Sequence, residues 1–278
     1  MTYSLSQLAI YPIKSIHGIA LQSSPVNEAG LLGDRRYMLV KPDGECVTGR
    51  EHPKLTLVEA KSLEGNTWIL SHPDIKTELA LSPKNFPENY KKVTIWEKDV
   101  QGQTVSEEAN IWFSSILHEP VELVYFSEKS KRFTNRKPDS PVAFADGYPF
   151  LLTTQASLDE LNRTCPEDIK MTQFRPNLVI KGNKAFAEDS WKRIRIGEVE
   201  FENVKPCERC IFTTLNPETA ERLKKGEPLK TLGKFRLLDK KGIMFGINMI
   251  ALNTGVINVN DEVDILEYQE PDTYNDRR

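Results

Sequence analysis

Two of the four cysteines, Cys207 and Cys210, form a C-x-x-C pair within "NVKPCERCIFTTLN" at residues 203–216. Three kinds of chemistry use such a pair: half of a zinc site, a thioredoxin-like redox pair, or one thiolate that binds another metal. Zinc is poorly supported, because all four histidines lie in the first 118 residues without an H-x(3–5)-H spacing. A redox pair normally opens a helix, whereas "IFTT" is a strand-like run. The spacing alone does not separate a metal thiolate, which Arg209 would favour, from two buried structural thiols.

The composition excludes several classes of protein. The 278 residues carry a formal net charge of −3, so non-specific binding to nucleic acid is not expected. No run approaches the roughly 20 apolar residues that span a bilayer, and the N-terminus lacks the pattern of a signal peptide. Four cysteines are too few for a disulfide framework, and Cys46 and Cys165 are expected to be inert thiols. We therefore expect a cytoplasmic protein with neither a membrane nor a nucleic-acid partner.

Strand signals dominate the part of the chain that must position these residues. Short runs such as "SLSQLAIYPI", "RRYMLV" and "KKVTIWEKDV" alternate with turn signals and predict a mainly β fold, a β-barrel with flanking helices. Turns are expected at Pro42-Asp43-Gly44, at Glu64-Gly65-Asn66 and near Gln101-Gly102. After residue 165, strands return in "FRPNLVIKG", "WKRIRIGEVEFENVKP" and "CIFTTLN".

Two helices interrupt the strands. Ser106 can cap a helix over residues 106–117, and Thr154 can cap a second one in "TTQASLDELNRT". The polar, basic segment between them, "SEKSKRFTNRKPDSPVAFADGYPF", predicts a long loop, and loops of that length are usually functional. The last residues, 269–278, are polar and are expected to be disordered.

Seven motifs recur, in this order, in a known family. They are "YPIKSIHG", "GLLGDRRYMLV", "DGYPFLLTTQASLDELN", "FRPNLVIKG", "AEDSWKRIRIGEVEF", "KPCERCIFTTLNPET" and "FGINMIALNTGVINVNDEVDIL". Through them the chain resembles the MOSC-domain molybdenum enzymes, which include the mitochondrial amidoxime-reducing component and bacterial reductases of N-hydroxylated compounds. The resemblance implies a MOSC-associated β domain over residues 1–125 and a MOSC barrel over 126–268.

The resemblance also implies a molybdenum cofactor, in which a phosphorylated pterin holds the metal; pyridoxal phosphate is not expected. Its thiolate ligand would be the second cysteine of the motif, Cys210, with Cys207 as a neighbour. A phosphate needs cations and hydrogen-bond donors. The family motifs place the following residues at the cofactor: Lys14, Ser15, Arg35, Arg175 and Asn177.

Other residues near these motifs have competing interpretations. Asp146 could relay a proton to the substrate or only shape a turn with Gly147. Asn177 could bind the cofactor or only pin a turn, and Arg36 is more readily a surface charge. The basic residues of the loop 127–140 could guide an anionic partner, although a solvated surface is the simpler interpretation.

The activity implied by the resemblance is the reduction of N-hydroxylated compounds, amidoximes or hydroxylamines, a detoxification chemistry. Some relatives carry a fused iron–sulfur domain after "DILEY". No cysteine follows that point in this sequence, so electrons are expected from a separate protein of the ferredoxin or flavin-reductase type. The alternative is a cofactor carrier or sulfur-delivery module without reductase activity. A structural β-barrel with buried thiols is a third possibility.

Overall fold

The computed structural model describes residues 2–63, 67–239 and 241–278. Strands account for 41% of the chain and helices for 17%, which confirms the predicted mainly β class. No helix within these residues is long and apolar enough to cross a membrane.

The strands, in chain order, are β1 (Tyr3–Ile10), β2 (Ile19–Leu21), β3 (Ser23–Asn27), β4 (Gly30–Leu31), β5 (Tyr37–Val40), β6 (Glu59–Leu63), β7 (Thr67–His72), β8 (Ile75–Leu81), β9 (Tyr90–Ile95), β10 (Lys98–Thr104), β11 (Glu122–Tyr125), β12 (Phe150–Thr154), β13 (Leu178–Lys181), β14 (Trp191–Ile196), β15 (Val199–Glu208), β16 (Leu237–Leu238), β17 (Gly242–Ala251), β18 (Gly255–Asn258) and β19 (Glu262–Tyr268). The α-helices are α1 (Glu107–Leu117), α2 (Gln155–Thr164) and α3 (Leu229–Leu232). Short 3₁₀ helices cover Pro53–Leu57, Pro83–Asn85, Met171–Gln173, Ala187–Ser190, Ile211–Thr214 and Lys224–Gly226.

A closed barrel of seven strands forms the larger unit. Its order is β12-β13-β1-β19-β14-β15-β17, and β17 pairs back to β12 through Leu151↔Asn248 and its neighbours. The first strand of the chain is therefore a barrel strand, inserted between β13 and β19. A chain division at residue 125 stays a prediction, but the sheets do not follow it at the N-terminus.

Alternating apolar and polar residues along the strands place apolar side chains in the barrel core. In β14, "WKRIRI", the apolar residues Trp191, Ile194 and Ile196 are buried while the residues between them are more exposed. Phe150 and Phe201 meet edge to face with ring centroids 5.2 Å apart. Buried apolar surface of this kind stabilises the barrel. The ends of its strands carry candidate site residues.

Two further sheets, β5-β11-β10-β9 and β6-β7-β8, are built entirely from strands before residue 126, whereas β3 and β4 form a third sheet with β18. Helix α1 packs against them, and the Ser106 side chain accepts a hydrogen bond from the Ala109 N–H, as the capping pattern predicts. Ile111 of α1 is 61% exposed. The Thr154 hydroxyl caps α2 in the same way, and residues 127–149 form the predicted long loop without helix or strand.

The three predicted turns have different outcomes. The turn at Pro42-Asp43-Gly44 is confirmed, since Gly44 has φ +93° and Lys41 and Glu45 pair around it. Glu64-Gly65-Asn66 lies outside the described residues. The turn expected near Gln101-Gly102 is wrong: both residues lie inside β10, where a Cβ on Gly102 would meet Val124 at 3.1 Å. Close packing, rather than a turn, explains that glycine.

The hairpin instead reverses at Trp96 and Glu97, because Ile95 pairs with Lys98. The prediction that "CIFTTLN" is a strand is also wrong. Strand β15 ends at Glu208, and Ile211–Thr214 forms one turn of 3₁₀ helix that begins after Cys210.

The predicted disorder of the last ten residues stays a prediction. They form no helix or strand, but the Tyr274 ring lies 3.7 Å from the Arg236 guanidinium, and the Arg277 N–H donates to the Lys234 carbonyl. These contacts join the segment to the residues that follow α3, and Arg278 also pairs with Glu160 of α2.

Candidate active site

A cavity of about 530 Å³ opens where β15, the long loop and the segments after β1 and before β5 and β13 converge. All seven predicted site residues line it: Lys14, Ser15, Arg35, Asp146, Arg175, Asn177 and Cys210. They come from five separate segments of the chain. The fold thus brings the predicted set together, although the role of each residue stays a prediction.

The Cys210 thiol lies at the end of β15, where the chain leaves the sheet. The Arg209 N–H donates to the Ile243 carbonyl of β17, and the Thr213 N–H donates to the Cys210 carbonyl. These bonds fix the backbone on both sides of Cys210. Its sulfur accepts a hydrogen bond from Nε of Arg50, at 3.2 Å.

The arginine beside the candidate ligand is not the expected one. Arg209 was expected to favour the metal thiolate, but its Nη1 donates to the sulfur of Cys207, at 3.0 Å. Arg50 occupies that position beside Cys210. The two sulfurs of the C-x-x-C pair therefore have different cationic partners, which favours different roles for them.

Lys14, Asp146 and Arg50 form a chain of charges that leads to Cys210. The Lys14 ammonium is almost fully buried, pairs with Asp146 and donates to the Phe144 carbonyl. Arg50 Nη2 lies 3.1 Å from the other carboxylate oxygen of Asp146. Partial burial would raise the pKa of Asp146, but Lys14 and Arg50 outweigh that effect and hold the pKa of its carboxyl below the usual range. Asp146 is consequently ionised at neutral pH.

Arg35 and Arg175 both contact the Tyr11 ring. Each guanidinium carbon lies 4.1 Å from the ring centroid. Asp34 accepts two hydrogen bonds from Arg35, and Arg35 Nη2 donates to the Arg175 carbonyl. Burial and the charge of Arg35 lower the pKa of Arg175 to about 10, so Arg175 remains a cation at neutral pH. Two like charges held this close favour an anion between or beside them.

The backbone is strained at three of the predicted residues. Ser15, Arg35 and Arg175 have φ values of 76°, 45° and 57°, which is the left-handed region. That conformation costs roughly 1–2 kcal/mol for a non-glycine residue, and such strain clusters at functional sites. Ser15 is further fixed because its hydroxyl oxygen accepts the Gly49 N–H at 2.9 Å.

The Asn177 amide is occupied by the protein. Its oxygen accepts hydrogen bonds from the Leu151 N–H and from Arg35, and its nitrogen donates to the Ala9 carbonyl. This geometry favours the interpretation in which Asn177 pins the backbone, here by joining β1, β12 and β13. It also positions Arg35.

Sequence reasoning missed Arg50, Tyr11 and the role of Arg132. Arg132 belongs to the basic loop that was interpreted as solvated, yet only 6% of it is exposed. Its guanidinium donates to the carbonyls of Ala143, Ala145 and Asp146, and burial lowers its pKa to about 10. Arg132 therefore shapes the loop that carries Asp146. No local motif distinguishes it from the exposed basic residues around it.

The donor set fits an anionic cofactor that is held by one thiolate. The cavity is rich in cations, although the whole chain is net negative. Only two carboxylates, Asp146 and Glu208, are among the described residues that line it. Six cationic side chains face them: Lys14, Arg35, Arg50, Arg175, Lys205 and Arg209. Within the described residues, Nε of Arg209 is buried without a hydrogen-bond partner. A spare donor in a cationic cavity suits phosphate or pterin oxygens.

No group of three or more His, Cys, Asp or Glu residues that could hold a metal ion occurs in the described ranges 2–63, 67–239 and 241–278. The expected cofactor would supply its dithiolene sulfurs as further ligands to a metal held by Cys210.

The fold and the cavity define a MOSC protein. The family model for the "MOSC N-terminal beta barrel domain" matches residues 2–120, and the model for the "MOSC domain" matches residues 139–264. The chain belongs to this family, as the sequence motifs predict.

Its similarity extends to particular relatives. It is 34% identical over 279 residues to "Mitochondrial amidoxime-reducing component 1" of Danio rerio, which covers 95% of this chain and 85% of that protein. It is also 34% identical to components 1 and 2 of Homo sapiens, over 282 and 278 residues. Those two alignments cover 95% and 94% of this chain, and 83% and 82% of the human proteins.

Proposed function

We propose that this protein is a molybdenum-cofactor-dependent oxidoreductase that reduces N-hydroxylated compounds of the amidoxime or hydroxylamine type. The observation that carries the proposal is the Cys210 thiol, held by Arg50 at the edge of a cavity lined by six cations. The names of the relatives, amidoxime-reducing components, support the substrate class.

The chain offers separate places for the two ends of such a cofactor. Cys210 would bind the metal as a thiolate, and Arg35 and Arg175 would hold the anionic tail together with Lys14 and Ser15. When bound, the metal supplies two-electron redox chemistry and a position for the substrate oxygen. The strained backbone at Ser15, Arg35 and Arg175 keeps these donors fixed before anything binds.

In this proposal, Asp146 positions Arg50 and does not donate a proton. A general acid must be protonated at the working pH, whereas Lys14 and Arg50 keep the Asp146 carboxyl ionised although burial opposes this. Its carboxylate instead holds Arg50, whose Nε then points at the Cys210 sulfur. The proton-relay role of Asp146 stays a prediction, and an Asp146→Asn variant with an unchanged pH profile of kcat would remove it.

The electrons would come from a separate protein of the ferredoxin or flavin-reductase type. A cytoplasmic location is part of the same proposal, and it stays a prediction. Neither affects the assignment of the cavity, because a small chemical reductant can replace the protein donor in an assay.

The test is reduction of benzamidoxime to benzamidine by the chain purified from a host that makes the molybdenum cofactor, with reduced methyl viologen as the donor. We expect viologen oxidation that depends on benzamidoxime and is lost in Cys210→Ala. Metal-loaded wild-type protein that reduces no N-hydroxylated compound would overturn the reductase proposal. That result would leave the cofactor carrier or sulfur-delivery function as the better interpretation.

A further inference from the structure

The hairpin between β9 and β10 has an unusual turn. Its two central residues, Trp96 and Glu97, have φ values of 48° and 63°, and Ile95 pairs directly with Lys98. A two-residue turn with positive φ at both positions is where Asn-Gly is normally found. A bulky aromatic residue is disfavoured there, so the turn is strained, and strain of this kind points to a function.

The Trp96 ring lies against the candidate active site. Its centroid is 4.3 Å from the Arg50 guanidinium and 5.4 Å from the Lys14 ammonium. Arg50 in turn donates to the Cys210 sulfur. Trp96 therefore stands one side chain away from the candidate metal ligand, just beyond the cavity lining.

Part of the same ring is open to solvent. Trp96 is 39% exposed, whereas Trp68, Trp112 and Trp191 are 7%, 6% and 1% exposed. Trp96 thus contacts Arg50 and Lys14 and still keeps more than a third of its surface exposed. An exposed aromatic surface beside a catalytic cavity is a natural stacking platform for a planar group.

We propose that Trp96 forms a substrate subsite that stacks the planar conjugated part of an N-hydroxylated substrate, such as the aryl or amidine plane of an aromatic amidoxime. This inference rests on the proposed function. Trp96 lies against Arg50, which lines the cavity and donates a hydrogen bond to the Cys210 sulfur. A substrate stacked on Trp96 would lie one side chain, Arg50, away from Cys210, and such stacking would favour planar substrates over small non-planar ones.

Fluorescence tests the subsite without any need for turnover. Because the other three indoles are buried, Trp96 is the exposed tryptophan of this chain and reports on ligand contact at the turn. Titration of cofactor-loaded and cofactor-free chain with benzamidoxime, excited at the indole band, should give saturable quenching. The quenching should vanish in Trp96→Phe. Its absence in the wild-type chain, or its persistence in Trp96→Phe, would overturn the proposal.

Kinetics test the selectivity. In Trp96→Leu we expect the KM for benzamidoxime to rise roughly three- to tenfold, the factor that an aromatic contact supplies, with kcat nearly unchanged. The KM for hydroxylamine, which has no plane to stack, should not change. Trp96→Phe should restore most of the benzamidoxime KM. Equal loss for both substrates would mean that Trp96 only shields Arg50.

Two variants separate function from folding. Trp96→Asn combined with Glu97→Gly gives the turn its preferred residues, so it should unfold at the same or a higher temperature than the wild-type chain and still lose the stacking. Tyr268→Ala removes a 64% exposed aromatic residue from β19 and should leave both KM values unchanged. If wild-type enzyme reduces neither compound, the proposed function fails, and the fluorescence titration still decides the subsite.

Discussion

Replacement of Arg50 by Met tests whether the charge chain serves the thiolate or the fold. The change removes the 3.2 Å hydrogen bond to Cys210, the ion pair with Asp146 and the cation–π contact with Trp96. The Arg50 backbone carbonyl keeps its bond from Arg222. Met is unbranched and flexible, so it fills most of the same space.

The two consequences differ in size. The ion pair joins side chains that are 28% and 61% exposed, so it contributes only about 0.2–1 kcal/mol, and the cation–π contact contributes about 0.5–1 kcal/mol. We expect the free energy of unfolding to fall by about 1–2 kcal/mol, which lowers Tm by a few degrees. A hydrogen bond to a charged sulfur contributes about 1.5–3 kcal/mol, so metal retention should weaken roughly 10- to 150-fold.

The assay compares thermal unfolding with the molybdenum content that survives dialysis. The matched control is Arg195→Met, which removes one exposed ion pair with Asp264 on the barrel surface and should affect neither quantity. The reasoning is refuted if Arg50→Met retains molybdenum as the wild-type chain does. It is equally refuted if the variant unfolds so early that metal loss follows from unfolding alone.

Three further predictions concern charge and burial. Arg175→Met should reduce bound cofactor without changing the Cys210 environment, seen as lower pterin content by fluorescence after release, and Arg175→Lys should recover only part of it. Asp189→Ala should lower the free energy of unfolding by about 3–5 kcal/mol, measured by urea denaturation, because it leaves the buried Arg236 without its bidentate partner. Burial and the charge of Asp189 raise the pKa of Glu188 to about 7, so the folded chain binds more protons than the unfolded chain between about pH 4.5 and 7, and this group's contribution to stability falls as pH rises through that window. Glu188→Gln should therefore be more stable than wild type at pH 8 and should flatten the pH dependence of Tm; an unchanged slope would contradict the buried-acid account.

The elements were predictable where local chemistry determined them. Ser106 and Thr154 cap their helices, because a hydroxyl before an apolar run satisfies the free N–H groups wherever the helix lies. The seven site residues were predictable because they belong to family motifs, and the structure places all seven around one cavity. Periodicity alone would not have identified them. Neither source required knowledge of the tertiary packing.

Residues that act through distant partners were not predictable. Arg50 has no motif of its own, and its contact with Cys210 joins positions 160 residues apart in the chain. Arg132 resembles its exposed neighbours until the loop folds around it. The misplaced hairpin turn has the same origin: Gly102 looked like a turn residue, but it serves packing, while strained Trp96 makes the turn beside the site.

The most direct measurement is the molybdenum content per chain of wild type, Cys210→Ala and Cys207→Ser, all purified from one host that makes the cofactor. Thermal unfolding confirms that each variant is folded. The account predicts roughly one metal per chain for wild type and Cys207→Ser, and almost none for Cys210→Ala, because one thiolate anchors the metal. Equal metal in Cys210→Ala and wild type would contradict the assignment of this cavity.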